Sequence, residues 1–343
     1  MARLKDIAQK AKVSISTVSR ILNHDPSFSI SLENRQKVLQ IAEEFNYPIS
    51  EPPKKEGKWK INGTVGLILL YNEIEEVEDP YYLSIRSNFK AECSKLGLPI
   101  KEYYYNQDNN ILTLEEHSVI VVIGSGSFWT PSLSEYVKKF NKPLIIVDFH
   151  HKDEENVDFI LINWQQLMEN VISFIVEKGF TRIGFIGSRD LDPISKVYFQ
   201  DDREIYFTKI LKDRKLFDKK FLYLSNTTSL NAGYSLANKA ISDKNLPEVF
   251  FVETDTMAIG VIKALKENEY SVPEDISLIS CNDIPEAQYL TPALTTMKIH
   301  TQLMGIMAAR LASERVLLKR NKGITLHIPS ELVIRQSFKN SRG

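Results

Sequence analysis

Residues 4–23, LKDIAQKAKVSISTVSRILN, decide how this chain is organised. Apolar residues at positions 4, 7, 8 and 11 recur at helical spacing, which predicts a first short helix with one apolar face. Ser14 is a candidate N-cap, and positions 15, 18, 21 and 22 give a second helix its own apolar stripe. The pattern therefore predicts two short helices on either side of a tight break.

The predicted second helix points small hydrogen-bonding side chains and one arginine outward: Ser16, Thr17, Ser19, Arg20 and Asn23. Such side chains suit a helix that lies in the major groove of DNA, where base edges present donors and acceptors at close range. A helix that faces only water more usually carries Glu and Lys. An ordinary pair of small helices is the alternative interpretation.

The charge of the chain is unevenly distributed. The 343 residues have a net charge of −1, but residues 1–60 hold 11 Lys and Arg against 7 Asp and Glu, a net +4. The remainder holds 32 against 37, a net −5, so a basic head precedes an acidic body. A basic head of this kind is typical of a nucleic-acid-binding module attached to a part that does not bind nucleic acid.

The same head carries a family resemblance. The segment KDIAQKAKVSISTVSRILN resembles the helix-turn-helix of the lactose/galactose-repressor family of bacterial transcription factors, with the family's A-x-V-S-x-x-T-V-S-R-V/I-L-N run met without a gap. The resemblance implies a DNA-binding domain over residues 1–48, completed by a third helix that Ser31 caps. We expect DNA contacts from Leu4, Lys5, Ser14, Ile15, Ser16, Thr17, Ser19, Arg20, Asn23, Arg35, Lys54 and Lys55.

Residues 49–61 are the predicted linker. In the resembled family a short hinge helix stands here and opens the minor groove, but Pro52 and Pro53 replace helix formers in this sequence. Lys54 and Lys55 keep the positive charge, which favours phosphate binding. A stiff, disordered tether is an equal alternative.

From Thr64 onward, strand-like and helix-like segments alternate. Alternation of this kind predicts doubly wound parallel sheets, here in two lobes of about 62–163 and 164–290, within a core of 62–340 in which the chain crosses back between lobes. The predicted strands are 64–71, 98–105, 118–124, 142–149, 157–163, 182–187, 220–225, 248–254 and 276–280, and the predicted helices are 81–96, 131–140, 164–178, 198–214, 229–242 and 255–268. The fold class is thus an all-α head followed by an α/β core.

Polar residues follow many of the predicted strands. In doubly wound sheets ligands bind at the carboxyl ends of the strands, and carboxylates, amides, aromatic rings and one Arg together suit a polyhydroxylated ligand. Two polar residues that follow predicted strands have simpler interpretations. Asp255 is also a candidate cap of the helix that follows it, and Asp283 with its neighbours can be only a turn.

The family resemblance extends over nearly the whole chain. The segments NLPEVFFVETDTMAIGVIKAL and VPEDISLISCNDIPEAQYLTPALTTMKIH resemble the family's effector-binding core, which has the fold of periplasmic sugar-binding proteins. DFH, RIGFIGS and EIEEVEDPYYLSIR further resemble regulators of galactose and β-galactoside genes. The implied ligand-binding residues are Asp79, Tyr81, Asp148, Arg203, Thr228, Thr254, Asn282 and His300. Asn282, Thr228 and Thr254 depart from the family's usual residues, and His300 is alternatively a structural residue.

Composition limits the other function classes. Two distant cysteines, Cys93 and Cys281, argue against a disulfide framework or a zinc site, and no signal peptide or membrane span is evident, so we expect a cytoplasmic protein with no metal or cofactor. Gly124-Ser125-Gly126 is an incomplete dinucleotide motif, and no nucleophile elbow or phosphate loop occurs, which argues against an enzyme. A transporter's solute-binding protein would not need residues 1–48, and an architectural DNA-binding protein would not need a polar cleft.

The sequence therefore predicts a repressor of sugar-utilisation genes. As a homodimer it would bind a pseudo-palindromic operator in double-stranded DNA, and galactose or a galactoside between the lobes would release it. The alternative is a corepressor-type regulator that binds DNA more tightly with a ligand or a phosphoprotein. The tetramerising helix of some family members is not evident after residue 340.

Overall fold

The computed structural model describes residues 4–22, 30–45, 47, 62–71, 73–105, 113–151, 155–191 and 198–340. The chain forms two compact units, Met1–Lys60 and Ile61–Gly343. The predictions on Asn23 and on the linker with Lys54 and Lys55 lie outside the described residues, as does the side chain of Arg35.

In the described residues of the smaller unit, the chain forms the helices α1 (Leu4–Ala11), α2 (Ile15–Leu22) and α3 (Leu32–Glu44). Each helix contributes apolar side chains to one core, in which Ile7, Val18 and Val38 are fully buried. Burial of these side chains is what holds three short helices together, since helices of this length are marginal in isolation.

The break between α1 and α2 is a tight turn. Lys12 adopts a φ of 59°, in the left-handed region, which reverses the chain after α1. Ser14 then begins α2, because its hydroxyl accepts a hydrogen bond of 3.0 Å from the main-chain N–H of Thr17. The predicted helix-turn-helix and its N-cap are confirmed.

The larger unit alternates strands and helices. Its helices are α4 (Glu73–Glu78), α5 (Pro80–Leu96), α6 (Pro131–Lys138), α7 (Trp164–Glu177), α8 (Asp202–Asp213), α9 (Leu230–Ser242), α10 (Asp255–Glu267) and α11 (Thr301–Leu318). Its strands are β1 (Val65–Leu70), β2 (Ile100–Tyr104), β3 (Val119–Gly124), β4 (Leu144–Val147), β5 (Val157–Ile162), β6 (Ile183–Leu191), β7 (Tyr198–Gln200), β8 (Leu222–Ser225), β9 (Val249–Val252), β10 (Ser277–Asn282), β11 (Thr295–Ile299), β12 (Thr325–Ile328) and β13 (Ser330–Val333). Short 3-10 helices occur at Gly126–Phe128, Lys219–Phe221 and Pro285–Tyr289.

The first lobe is built on a sheet in the order β12-β5-β4-β3-β1-β2, in which every neighbouring pair is parallel. The inner strands are continuous apolar runs, and all six residues of β1 and of β3 are buried. Strands of this composition need helices on both faces of the sheet, which is what the alternation along the chain supplies.

The second lobe is built on the order β13-β11-β10-β9-β6, with β8 beside β6. Its pairs are parallel except at the two ends, where β13 runs antiparallel to β11 and β7 forms an antiparallel pair with the end of β6. Two doubly wound parallel-sheet lobes are what the sequence predicted.

The chain crosses between the lobes three times. The crossings follow Ile162, at the end of β5, Ile299, at the end of β11, and Ile328, at the end of β12. The long helix α11 therefore packs on α5 of the first lobe although the strand before it belongs to the second.

A buried ion cluster anchors α11. Asp158, on β5, accepts hydrogen bonds of 2.7 and 2.9 Å from the guanidinium of Arg315 and of 2.9 and 3.0 Å from that of Arg320. The side chains of Asp158 and Arg315 are fully buried. A paired buried charge of this kind costs little, whereas an unpaired one is strongly destabilising.

Two local predictions are corrected by the structure. The strand predicted to end at 187 continues to Leu191 and forms a hairpin with β7, and the helix predicted from 198 begins only at Asp202. Asp201 sets that start, because its carboxylate accepts a 2.8 Å hydrogen bond from the N–H of Arg203 as an N-cap. The short acidic helix α4 and the long α11 were not predicted.

Candidate functional site

The outer face of α2 is polar with one apolar exception. Ser14, Ser16 and Arg20 are exposed, and Thr17 and Ser19 are partly exposed, as the sequence predicted. Ile15, at the first position of α2, is 48% exposed although it is a large apolar side chain. The face thus offers hydroxyls, a guanidinium and one apolar group, the kinds of group that read base edges and thymine methyls.

The other predicted DNA contacts in α1 differ from one another. Lys5 is exposed, whereas Leu4 is partly buried and packs against the core of the smaller unit. Leu4 is therefore first of all a core residue. The Ser14 hydroxyl is shared, since it lies 2.7 Å from that of Ser16 and 2.8 Å from that of Thr17.

In the first lobe, Asp79, Tyr81 and Asp148 come together at the carboxyl ends of the strands. Asp79 is the N-cap of α5 and accepts a 3.0 Å hydrogen bond from the N–H of Tyr81. The Tyr81 hydroxyl donates to Oδ1 of Asp148 at 2.8 Å, and Asp148 has a φ of 83°, in the left-handed region, directly after β4. Local turns, set by caps and a positive φ, thus place these three side chains together.

Burial changes the acidity of both carboxyls. Burial raises the pKa of Asp148 to about 7, against the lowering effect of hydrogen bonds from Tyr81 and Tyr82 and of the charge of Arg203. Burial also raises the pKa of Asp79, and the Arg203 charge again opposes it. One guanidinium in the second lobe therefore acts on two carboxyls of the first.

A direct bond also joins the lobes here. The Thr256 hydroxyl, in α10 of the second lobe, donates to Oδ2 of Asp79 at 3.2 Å. Asp79 is therefore both a helix cap and a contact across the cleft.

Arg203 lies at the start of α8 between two carboxylates. Its Nε and Nη2 donate to Oδ1 and Oδ2 of Asp201 at 2.7 and 2.9 Å, and Nη2 also donates to Oε1 of Glu253 at 3.0 Å. Its Nη1 donates to the main-chain oxygen of Glu253 at 3.0 Å, and its guanidinium lies 5.0 Å from the ring centroid of Trp164. Arg203 is thus fixed in position by three residues of the second lobe.

Asp201 and Glu253 were missed by the sequence reasoning. Glu253 directly follows the apolar strand β9 and is 1% exposed. A carboxylate at the carboxyl end of a buried strand was a visible signal, but the sequence reasoning singled out Thr254 and Asp255 beside it instead.

The residue that caps α10 differs from the one that the sequence suggested. Thr254, not Asp255, caps α10, because its hydroxyl accepts a 3.2 Å hydrogen bond from the N–H of Met257. Asp255 is fully buried and accepts hydrogen bonds from the hydroxyls of Ser280 and Thr296 and, at 2.8 Å, from the N–H of Ile284. Burial raises the pKa of Asp255 to about 6, although these bonds lower it. The cap prediction for Asp255 is therefore wrong.

Asp255 and Arg335 hold the loop that presents Asn282. Asn282 and Asp283 have φ values of 120° and 57°, and Arg335 donates to Oδ1 of Asp283 at 2.7 Å. The interpretation of Asp283 as only a turn is therefore incomplete, since it also pairs with a cation. Residues other than glycine adopt such φ values at a cost, which these contacts offset.

Two cavities lie beside these residues. One, of about 560 Å³, is lined by Tyr81, Asn282 and His300 among others, and the second, of about 830 Å³, lies between the starts of α5, α9 and α10. The structure thus brings His300 to the same cavity as two other predicted ligand-binding residues.

Thr228 follows strand β8. It lies in the loop between β8 and α9, next to Ser229, whose hydroxyl caps α9. Within the described part of the chain, Thr228 forms no hydrogen bond with Arg203 or Asp148.

In the part of the chain that the structure describes, no three His, Cys, Asp or Glu side chains are grouped to hold a metal ion. Likewise, none of the described helices is both long and apolar enough to span a membrane. Both cysteines are buried free thiols.

Comparison with known proteins identifies relatives along the whole chain. Residues 3–49 match the model of bacterial regulatory proteins of the lacI family, and residues 172–338 match that of a periplasmic binding protein-like domain. The HTH-type transcriptional repressor MelR of Bacillus subtilis (strain 168) is 34% identical, over 98% of this chain and 97% of that protein. The HTH-type transcriptional regulator GalR of Lacticaseibacillus casei is 31% identical, over 98% and 99%.

Solved structures share the fold. A transcriptional regulator CelR–cellobiose complex superposes with a TM-score of 0.70 at 19% identity and covers 98% of this chain and 100% of that one. The lac repressor dimer bound to operator and the anti-inducer ONPF gives a TM-score of 0.67 at 19% identity, over 98% of each chain.

Proposed function

The chain belongs to the lacI family of bacterial regulatory proteins, and from this premise we propose that it represses sugar-utilisation genes in response to galactose or a galactoside. A homodimer binds a pseudo-palindromic operator, and sugar between the two lobes releases it. The carrying observation is the polar cluster of Asp79, Tyr81, Asp148 and Arg203: the charge of Arg203 in the second lobe acts on both first-lobe carboxyls, and Thr256 donates a hydrogen bond across to Asp79.

The smaller unit supports the DNA-binding half of the proposal. The outer face of α2 carries exposed hydroxyls and Arg20, and the segment 1–60 has a net charge of +4. Positive charge supplies affinity for any duplex, and the groups on α2 supply discrimination among base pairs. The boundaries we propose are a DNA-binding domain at 1–48, a linker at 49–61 that includes Lys54 and Lys55, and an effector-binding core at 62–340.

The chemistry of the cluster supports a sugar. Carboxylates accept hydrogen bonds from vicinal hydroxyls, and the ring of Tyr81, which lines a cavity, provides a face for the C–H side of a pyranose. Asn282 and His300, at the 560 Å³ cavity, add an amide and an imidazole. A sugar is also the ligand of one solved neighbour, the transcriptional regulator CelR in complex with cellobiose.

The contact between the lobes supports a coupling of sugar to DNA. A ligand that replaces the Thr256–Asp79 bond with bonds of its own changes the angle at which the lobes meet. A ligand shifts an equilibrium between two arrangements only by its difference in affinity for them, so contacts to both lobes are what the coupling requires.

The proposal is tested by selecting operator DNA from a random duplex library with the full-length protein. Fluorescence anisotropy then measures operator affinity with galactose, a β-galactoside, an α-galactoside and glucose. We expect release by one galactose-containing sugar and not by glucose. Tighter binding with the sugar identifies the corepressor alternative, and absence of any selected duplex contradicts the proposed function.

A further inference from the structure

The hydrogen-bonding capacity of Arg203 is nearly used up by the protein itself. A guanidinium has five N–H groups. Four of them donate to Asp201 and Glu253, through Nε, Nη1 and twice through Nη2. One N–H therefore remains for a ligand, which is too few for the two-pronged pairing by which arginines bind phosphate.

Glu253 is fixed in place by residues of β6. The main-chain N–H of Ser188 donates to its Oε2 at 2.5 Å, and the Ser188 hydroxyl lies 3.2 Å from Oε1. Gly187 leaves the room it needs, because a Cβ at that position would overlap Oε2 of Glu253. The carboxylate is thus part of the built structure of the second lobe.

The charges around Arg203 are predominantly negative. Asp201 and Glu253 contact it directly, and its charge also acts on Asp79 and Asp148 from across the cleft. Burial acts to raise the pKa of Asp201, but the charge and hydrogen bonds of Arg203 outweigh this effect and hold the pKa below its usual value. One cation thus faces four acidic side chains.

We propose that Asp201 and Glu253 form a carboxylate clamp on Arg203 that makes the cleft selective for neutral sugars and excludes their phosphate esters. This inference rests on the proposed function and narrows its ligand class. Hydroxyl groups donate to the carboxylates of the cleft, whereas a phosphate has few donors and repels them. The clamp also withholds from the phosphate the guanidinium fork that would bind it.

The test uses the full-length protein and three ligands titrated by calorimetry: galactose, 6-O-methylgalactose and galactose 6-phosphate. The methyl ether controls for the loss of the O6 hydroxyl, so the ratio of its affinity to that of the phosphate reports the added bulk and charge of the phosphate, and the change of this ratio in charge-neutralising variants reports the charge. We expect the wild-type protein to bind the phosphate at least about tenfold more weakly than the methyl ether.

Two variants test whether the clamp causes that ratio of affinities. Glu253→Gln and Asp201→Asn keep the size of each side chain and remove its charge, and each should reduce the ratio by about tenfold. Asp213→Asn, an exposed residue of the same helix as Arg203, is the matched control and should leave it unchanged. Thermal unfolding of each variant establishes that it is folded.

The outcomes separate the clamp from the proposed function. Equal binding of the methyl ether and the phosphate, or an unchanged ratio in both clamp variants, overturns the clamp and leaves the sugar-binding proposal intact. Failure of galactosides, glucosides and their phosphates alike to bind overturns the proposed function and the clamp with it.

Discussion

The hydroxyl of Tyr81 donates a 2.8 Å hydrogen bond to Oδ1 of Asp148, and this bond joins the start of α5 to the end of β4. The acceptor is a carboxyl whose pKa burial raises to about 7. Near neutral pH, Asp148 therefore exists in both protonation states, and it can accept a hydrogen bond from a ligand in one state and donate one in the other.

The first prediction concerns pH. The pKa of Asp148 in the folded protein is about 7, above its ordinary 3.8, so the folded state holds this proton more tightly than the unfolded chain. The stability from this group is full below about pH 4 and is lost as the pH rises through 7. Asn does not titrate, so the Asp148→Asn variant lacks this loss. Between pH 4 and pH 8 its free energy of unfolding, measured with urea, should therefore rise by up to about 4 kcal/mol relative to that of the wild type.

A matched variant checks the cause of that shift. The Tyr81 hydrogen bond lowers the pKa of Asp148, so Tyr81→Phe should raise it further and move the loss of stability to higher pH. A pH profile of Asp148→Asn that parallels wild type would show that another group carries the dependence.

The second prediction concerns Arg203. Arg203→Ala leaves the buried carboxylate of Glu253 without its cation, which should destabilise the protein by about 3–5 kcal/mol. The double variant Arg203→Ala with Glu253→Gln should recover part of that loss, because residue 253 is then uncharged and only Asp201 is left without its cation. Urea unfolding of the two single variants and the double variant measures the coupling. Strictly additive losses would show that the pair does not interact.

The third prediction separates DNA binding from sugar binding. Arg20→Ala should weaken operator binding by about 1–3 kcal/mol per half-site and leave sugar affinity unchanged. Lys10→Ala, on α1, removes the same charge from a side chain that pairs with Glu44. Anisotropy should show a loss of discrimination between operator and random duplex for the first variant only. Equal effects of the two variants on this discrimination would show that Arg20 contributes only a non-specific positive charge.

The fourth prediction concerns the bond between the lobes. Thr256→Val removes the donor to Oδ2 of Asp79 while keeping the shape of the side chain, and we expect a loss of about 0.5–1.5 kcal/mol in stability. It should also raise the pKa of Asp79 further, because that bond lowers it. Chemical shifts of the Asp79 carboxyl carbon against pH measure the change, and an unchanged titration would mean that the bond does not form in solution.

Parts of the fold could be predicted because a single local pattern determines them. The run 65–70 and the run 119–124 are apolar at every position, and only strands covered on both faces explain that. The apolar spacing in residues 4–22 likewise gives two helices without further information. The hairpin of β7 could not be predicted, because three residues with no alternation give no signal.

The candidate site was predicted less completely than the fold. Asp79, Tyr81 and Asp148 were predicted as ligand-binding residues from the family resemblance, which their places after predicted strands or at a helix start supported. The position of Glu253 at the end of a buried strand was visible in the sequence, but its role comes from Arg203, fifty positions earlier in the chain, and pairing across such a distance has no local pattern. Asp255 was considered as the cap of α10 because Asp and Thr can both cap a helix. The buried donors around Asp255 bind its carboxylate and leave the cap to Thr254.

The three crossings of the chain have a consequence for synthesis on the ribosome. The first sheet lacks its edge strand β12 and the second its edge strand β13 until residues 325–333 have been translated. Neither lobe can therefore complete its sheet before the ribosome has translated these residues. A premature stop anywhere before β12 leaves two unfinished sheets with open edges, not one finished lobe and one missing lobe.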